Sequence, residues 1–204
     1  MPIVTETPMA KEARAPFDPL FRLGVEQYLE MVRAGILTPD DRVELLEGIL
    51  VAKMGKNPPH ILATKRILRA LAGALPAGWH VAEGDPIRTP DSVPEPDCAV
   101  LRGTDEDYRD RLPEPSDVAL VVEVAETSLA RDRGLKRRAY ALPAIPTYWL
   151  ANLVDRRIEV YTDPTGPADE PAYRAVAHFG PGDEVPLMLE GREIARLAVR
   201  DLLP

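Results

Sequence analysis

The stretch from Asp117 to Ala125, with the sequence DVALVVEVA, constrains the fold more than any other part of the chain. It is an almost continuous, valine-rich apolar run of strand length, which is typical of a β-strand covered on both faces. Glu123 interrupts this run. A carboxylate in a buried strand is costly unless it is paired or binds a metal. The sequence therefore leaves two interpretations of Glu123. It is either buried and paired or bound to a metal, or it lies at the strand's C-terminal end, where water or a lysine can reach it.

Helical and strand-like patterns alternate along the rest of the chain. Apolar residues at helical spacing predict helices over residues 23–34, 60–75 and 128–142. Strand patterns cover residues 42–53 (broken at Gly48), 79–89, 96–101, 117–125, 147–152, 157–162, 173–178 and 184–189. One predicted helix stands between central strands, as in a βαβ unit, so we expect an α/β fold.

The length of 204 residues suits one domain, which we place over residues 20–204. Residues 1–19 contain four prolines and no apolar periodicity, so a mobile tail is predicted there. Cys98 is the sole cysteine. It excludes an intramolecular disulfide and suits a reducing, cytoplasmic location. No signal peptide or membrane span is expected.

The charge balance bears on possible partners. The formal net charge is −8 and the pI is about 5.0. This composition counts against nonspecific nucleic-acid binding, which depends on lysine and arginine at phosphates. A local basic surface is still compatible with it. Lys65, Arg66 and Arg69 occupy one side of the second predicted helix, either as a face that follows phosphates or as a solvated helix surface.

Asp97 is the second acid of interest. It follows Pro96 in the sequence VPEPDCAV, close to the start of a predicted strand. Taken alone, its position favours an ordinary turn residue. Together with Glu123 it forms a pair, because two acids on neighbouring strands can share a hard cation such as Mg²⁺.

The helix after Glu123 contains Asp132, Lys136 and Tyr140 at intervals of four residues, which places them on one face. The simplest interpretation is an exposed ion pair between Asp132 and Lys136. Such a pair stabilises a helix by only about 0.2–0.5 kcal/mol. The alternative is that Lys136 belongs to the same site as the two acids.

The ordered set of motifs resembles the Uma-two restriction endonucleases, a branch of the PD-(D/E)xK nuclease superfamily. The resemblance runs from about Val25 to Tyr161. It consists of VELLEG at 43–48, His60 at a helix start, Pro96-Asp97, LVVEV at 120–124, Ser128, Asp132, Lys136, Tyr140, IPTYWL at 145–150 and IEVY at 158–161. It implies a restriction-endonuclease-like mixed central sheet flanked by helices.

The resemblance also implies roles for particular residues. Asp97 and Glu123 correspond to the metal-binding acids, and Glu44 matches an early glutamate that completes the metal site. The superfamily's catalytic lysine lies two residues after the second acid, where this chain has Ala125. Lys136 on the following helix is the expected replacement. The implied catalytic set is therefore Glu44, Asp97, Glu123 and Lys136.

Other matches and departures concern the surroundings of this set. Glu47 and His60 match the family. Glu126 and Thr127 replace its usual Ser-Pro, and Ala144 replaces a usual glycine. These departures leave the acids intact but change the loops around them.

The implied activity is that of a Mg²⁺-dependent endonuclease, with Mn²⁺ as a substitute, which hydrolyses phosphodiester bonds in line and leaves a 3′-hydroxyl. DNA is the expected substrate, and we expect His60, Lys65, Arg69 and Tyr140 to contact it. A homodimer would suit the cutting of two strands. The alternative is a nuclease-fold protein that binds nucleic acid or another protein without cutting. The acidic pI favours this alternative slightly, whereas the intact set of four residues favours the enzyme. A metal-binding structural protein is a weaker third possibility, since it would not need the lysine.

Overall fold

The computed structural model describes residues 20–204, so the predicted tail over residues 1–19 lies outside the described residues. The α-helices are α1 (Val25–Arg33), α2 (Pro58–Ala74), α3 (Leu129–Arg131), α4 (Arg137–Ala141) and α5 (Val199–Leu202), with a π-helical turn at Asp132–Lys136 and 3₁₀ turns at Pro39–Asp41, Asp105–Tyr108 and Pro115–Asp117. The strands are β1 (Val43–Leu46), β2 (Ile49–Ala52), β3 (Trp79–Ala82), β4 (Cys98–Arg102), β5 (Val118–Ala125), β6 (Thr147–Asn152), β7 (Arg157–Pro164), β8 (Tyr173–Phe179), β9 (Glu184–Leu189) and β10 (Arg192–Ala198). Within residues 20–204, every helix is too short or too polar to cross a membrane.

Six strands form the central sheet in the order β3-β4-β5-β6-β7-β8. Strands β5 and β6 are parallel, and the other neighbours are antiparallel. The parallel pair needs a crossover connection, which α3, the π turn and α4 provide. The sheet is therefore mixed, as the sequence predicts.

Strand β5 is buried along its whole length, and from Leu120 onward its apolar side chains alternate between two hydrophobic clusters. Val122 and Val124 pack in a cluster with residues of α2, α5 and β9. Val121 and Ala125 pack on the opposite face, in a cluster that includes Tyr140 of α4. Because side chains alternate along a strand, Glu123 points to this second face. The side chains that contact Glu123 therefore come from elements that pack on this second face.

A short hairpin, β1-β2, lies beside the sheet and positions Glu44. Its two-residue turn is Glu47-Gly48, with φ angles of 48° and 74°. Positive φ at both central positions is typical of a type I′ turn, for which glycine is favoured. The hairpin is joined to the rest of the protein by a bridge between Leu45 and Val93. Glu44 pairs with Val51 and is buried.

The predicted α/β class and mixed sheet are confirmed, and two details of the sequence-based prediction are wrong. The predicted strand over residues 79–89 ends at Ala82. The chain then turns at Asp85-Pro86, and its next backbone amides donate hydrogen bonds to loop residues instead of to a strand. The amide of Ile87, for example, donates to the carbonyl of Pro94. The end of the chain forms β10 and α5, which the sequence patterns did not predict.

Candidate active site

Asp97 and Glu123 lie next to each other at one end of the sheet. Asp97 immediately precedes β4, and Glu123 lies near the C-terminal end of β5. Cys98 pairs with Val122 across these antiparallel strands, so Asp97 stands opposite Glu123 on the same face. The amide of Val124 donates a 2.9 Å hydrogen bond to Oδ2 of Asp97. The predicted adjacency of the two strands is confirmed.

The ammonium group of Lys136 lies between two buried carboxylates. Its Nζ is 2.7 Å from Oε2 of Glu44 and 2.9 Å from Oε1 of Glu123. It also donates a 3.2 Å hydrogen bond to the carbonyl oxygen of Glu95. The three donor positions of the ammonium are therefore occupied. Burial alone would lower the pKa of Lys136, but the two carboxylates outweigh burial and raise it, so the group stays charged.

The π turn explains why Lys136 points to Glu44 and Glu123. In this turn the amide of Arg137 donates to the carbonyl of Asp132, five residues back, so side chains four residues apart no longer stack as they do in an α-helix. Asp132 instead accepts a 2.5 Å hydrogen bond from the hydroxyl of Ser128. The interpretation of Lys136 as an exposed helical ion pair with Asp132 is wrong, because Lys136 is only 2% exposed and pairs with other acids.

Arg133 connects the π turn to the sheet. Its Nε donates a 3.0 Å hydrogen bond to Oε2 of Glu159 on β7, and a second guanidinium nitrogen binds Oε1. The hydroxyl of Tyr148 on β6 donates a 3.2 Å hydrogen bond to the carbonyl of Asp132. The turn is therefore attached to two strands.

Glu123 has an excess of negative charge around it. Burial raises its pKa to about 8, although Lys136 opposes this shift, and Asp97, Asp132 and Glu44 add to it. Its Oε1 accepts hydrogen bonds from Lys136 and, at 2.5 Å, from the hydroxyl of Tyr140. Among the described residues, Oε2 accepts none. Glu123 therefore has one oxygen held by the protein and one available at the pocket that it lines.

Asp97 is held by two further groups at the pocket. Lys56 places its Nζ 2.9 Å from Oδ1, and His60 places its Nε2 3.1 Å from Oδ2. Burial would raise the pKa of Asp97, but the contacts with His60 and Lys56 outweigh it and lower the pKa to about 2. Asp97 is therefore a stable anion.

These residues line one small pocket of about 110 Å³. Its charged lining side chains are six acidic ones, Glu44, Glu95, Asp97, Glu123, Glu126 and Asp132, and four basic ones, Lys53, Lys56, Arg131 and Lys136. The formal balance is an excess of two negative charges when His60 is neutral. Such an excess at a pocket is compatible with a divalent cation.

The donor set fits a hard cation at Asp97 and Glu123. Mg²⁺ prefers oxygen ligands and is often held by one or two carboxylates together with waters and substrate phosphates. Glu44 fits less well as a direct ligand, because its Oε2 accepts from Lys136 and, at 3.0 Å, from the amide of Glu95. Across residues 20–204, no three His, Cys, Asp or Glu side chains are grouped so as to hold a metal ion. The arrangement suits a two-carboxylate site more than a cage of three acids.

The other residues singled out by the sequence lie in different places. Tyr140 is fully buried, so its hydroxyl supports Glu123 and is not on the surface. Lys65 and Arg69 are exposed on α2, outside the pocket lining. Glu47 is in the hairpin turn, and its carboxylate binds Arg138 at 2.7 Å.

Three further residues of the site, Lys56, Lys53 and Glu95, are not singled out by any sequence pattern. Lys56 and Lys53 lie between β2 and α2, where no periodicity distinguishes a site residue from a solvated one. Glu95 precedes Pro96 and contacts the site mainly through its backbone. The signal that could have identified Lys56 is its position four residues before His60, beside the helix start that the motif set includes.

Comparisons with known proteins agree with the fold. A family model described as "Putative restriction endonuclease", Uma2, matches residues 25–200. A crystal structure of a putative nuclease from Anabaena variabilis is similar in fold, with a TM-score of 0.62 and 13% identity over 88% of this chain and 97% of that chain. A search of curated proteins found no match. Because the family model covers nearly all of the described residues, the chain belongs to the Uma2 family.

Proposed function

We propose that this protein is a metal-dependent endonuclease that hydrolyses phosphodiester bonds, with DNA as its substrate. The observation that supports the proposal best is that Asp97, Glu123 and Lys136, which are far apart in sequence, line one pocket, with Lys136 in contact with Glu123. The family match supports a nuclease-like function. Mg²⁺, with Mn²⁺ as a substitute, is the proposed cofactor.

Asp97 and Glu123 are the proposed ligands of the cation. A divalent cation bound there would polarise the scissile phosphate and lower the pKa of a bound water. Oε2 of Glu123, which accepts no hydrogen bond among the described residues, and an oxygen of Asp97 would be its donors. The raised pKa of Glu123, about 8, implies that this carboxyl loses a proton when the cation binds.

We assign Lys136 a different role from that of the superfamily's catalytic lysine, which the sequence predicts for it. Its three donor positions are occupied by Glu44, Glu123 and Glu95, so it orients Glu123 and compensates part of the buried negative charge. A water or phosphoryl oxygen could contact Lys136 only by replacing one of these partners. Glu44 then acts as the second anchor of the ammonium.

Tyr140 and His60 complete the arrangement. Tyr140 acts through Glu123, because its hydroxyl fixes Oε1 and leaves Oε2 toward the pocket. His60 acts through Asp97, whose Oδ2 it contacts. These are positioning roles, and they replace the direct substrate contacts expected for both residues.

The nucleic acid is proposed to approach along the pocket and α2. Phosphate binding requires basic side chains, and the exposed Lys65 and Arg69 on α2 follow His60 in sequence. The net charge of −8 opposes binding elsewhere on the protein. We therefore expect the protein to contact few phosphates, so that its affinity for DNA falls only weakly as the salt concentration rises.

The second candidate function is binding without cleavage. The observation in its favour is that protein cations already neutralise Asp97, Glu44 and one oxygen of Glu123. The two functions are separated by incubating supercoiled plasmid and labelled oligonucleotides with Mg²⁺, with Mn²⁺ and with a chelator. Cleavage that needs the metal and is lost in Glu123→Gln supports the enzyme. Intact substrate with every metal, together with a measurable Kd for DNA, supports the alternative.

Two further predictions belong to this proposal. A homodimer is expected, and strand β8 lies at an edge of the sheet, where it has no second neighbour among the described strands. Sedimentation velocity measures the oligomeric state. The cytoplasmic location stays a prediction from the cysteine content, and cell fractionation tests it.

A further inference from the structure

Lys56 is the most exposed of the three lysines that line the pocket. It lies in the connection between β2 and α2, and its side chain is 47% exposed. Its Nζ contacts Oδ1 of Asp97 at 2.9 Å. Lys136, by contrast, has a side chain only 3% exposed and fixed by three acceptors. Lys56 is thus the ammonium group of the site that solvent reaches most readily.

The contact with Asp97 places Lys56 in competition with a bound cation. Oδ2 of Asp97 already accepts from Val124 and contacts His60, which leaves Oδ1 as the oxygen that a cation would take. An ammonium and a divalent cation on the same oxygen would repel each other. The ammonium must therefore leave Oδ1 when a metal ion binds.

A displaced Lys56 has a suitable new partner. Its four-carbon stem is flexible, and it stands at the rim of a pocket whose basic lining includes Arg131. A scissile phosphate bound at the metal brings its free oxygens to that rim. Lysine binds phosphate as a point charge, so a phosphate oxygen at the rim is a suitable partner for the displaced ammonium of Lys56.

We propose that Lys56 is a substrate-binding residue with two positions. Without a metal ion it is the counter-ion of Asp97, and with a metal ion bound it moves to a phosphate group of the nucleic acid. This inference rests on the proposed function, since it needs the metal at Asp97. It adds a residue that neither the sequence motifs nor the fold likeness assigns.

The test uses two binding measurements in which Lys56→Gln is expected to have opposite effects. Calorimetric titration with Mn²⁺, in the absence of nucleic acid, should show binding about three- to tenfold tighter than in the wild type, because a competing cation is gone. Fluorescence anisotropy with a short DNA duplex in Ca²⁺ should show weaker binding, with a salt slope smaller by about 1. A gel confirms that the duplex stays intact.

Two further variants make the result specific. Lys56→Arg keeps the positive charge and should retain the wild-type salt slope. Arg109→Gln removes an exposed cation that is paired with Glu106, outside the pocket lining, and should leave both measurements unchanged. Circular dichroism confirms that each variant is folded.

The possible outcomes separate this inference from the proposed function. Tighter Mn²⁺ binding together with a lower salt slope in Lys56→Gln supports it. The inference about Lys56 is overturned if Lys56→Gln binds Mn²⁺ no more tightly than the wild type, or if its salt slope is unchanged. In either case, metal binding and cleavage by the wild type still support the proposed function. Failure of the wild type to bind Mn²⁺ overturns both.

Discussion

Replacing Lys136 by methionine removes the ammonium while keeping most of the side-chain volume. It leaves Glu44 and Glu123, only 2% and 6% exposed, without their shared cation and Glu95 without a donor to its carbonyl. Removing one partner of a buried ion pair costs about 3–5 kcal/mol. For a domain of this size, the corresponding fall in Tm is roughly 6–20 °C. An exposed pair with Asp132 would instead lose about 0.2–0.5 kcal/mol.

The assay is urea unfolding at pH 9 in a chelator, because Glu123, whose pKa is raised to about 8, is ionised there and a bound metal ion would neutralise the same carboxylates. The loss should shrink as the pH falls below about 8, where Glu123 becomes protonated and less buried charge is left unpaired. Lys65→Met is the matched control, since Lys65 is exposed on α2 and surface changes stay within about 0.5 kcal/mol. A loss below about 1 kcal/mol in Lys136→Met would refute the buried position of the ammonium.

Five further predictions follow from the structure. Because the pKa of Glu123 is raised to about 8, the affinity for Mn²⁺ should rise about tenfold per pH unit up to that pH and then level off. Calorimetry measures this affinity, and an affinity that stays constant between pH 6 and 9 contradicts the prediction. Without metal, the same raised pKa should make the free energy of unfolding fall as the pH rises from about 4.5 to 8, which urea titrations measure. Asp97→Asn should weaken Mn²⁺ binding at least about tenfold and abolish cleavage with circular dichroism unchanged, whereas wild-type affinity would exclude Asp97 as a ligand. Tyr140→Phe should lose about 1.5–3 kcal/mol, because its hydroxyl binds a charged acceptor, and an unchanged Tm speaks against that bond. Lys65→Gln combined with Arg69→Gln should lower the salt slope of DNA binding by about 2, and an equal slope would place the nucleic acid elsewhere.

The strands and helices were predictable where burial imposes a period on the sequence. Strand β5 is the best example, because its valine-rich run is buried on both faces and was placed within a residue of its observed start. The β1-β2 hairpin was predictable from Gly48, which the turn requires. The C-terminal β10 and α5 were not, because β10 is largely exposed and α5 spans only Val199–Leu202.

The acids of the site were predictable for a related reason. Glu123 stands out because a carboxylate is unfavourable in an apolar, buried strand. Asp97 becomes a candidate ligand only when it is considered together with Glu123. The environment of Lys136 was not predictable from spacing. Four-residue intervals assume an α-helix, and the π turn at Asp132–Lys136 moves Lys136 away from Asp132. The contact of Lys56 with Asp97 depends on a loop conformation that no sequence period encodes.

We propose that Asp97 and Glu123 together bind the catalytic cation. Anomalous diffraction at the manganese edge, from crystals grown with Mn²⁺ at pH 8, locates the cation directly. We expect a single strong peak about 2.0–2.6 Å from an oxygen of each carboxylate, with the ammonium of Lys56 moved away from Oδ1 of Asp97. A pocket without an anomalous peak, or a peak bound by only one of the two acids, would contradict it.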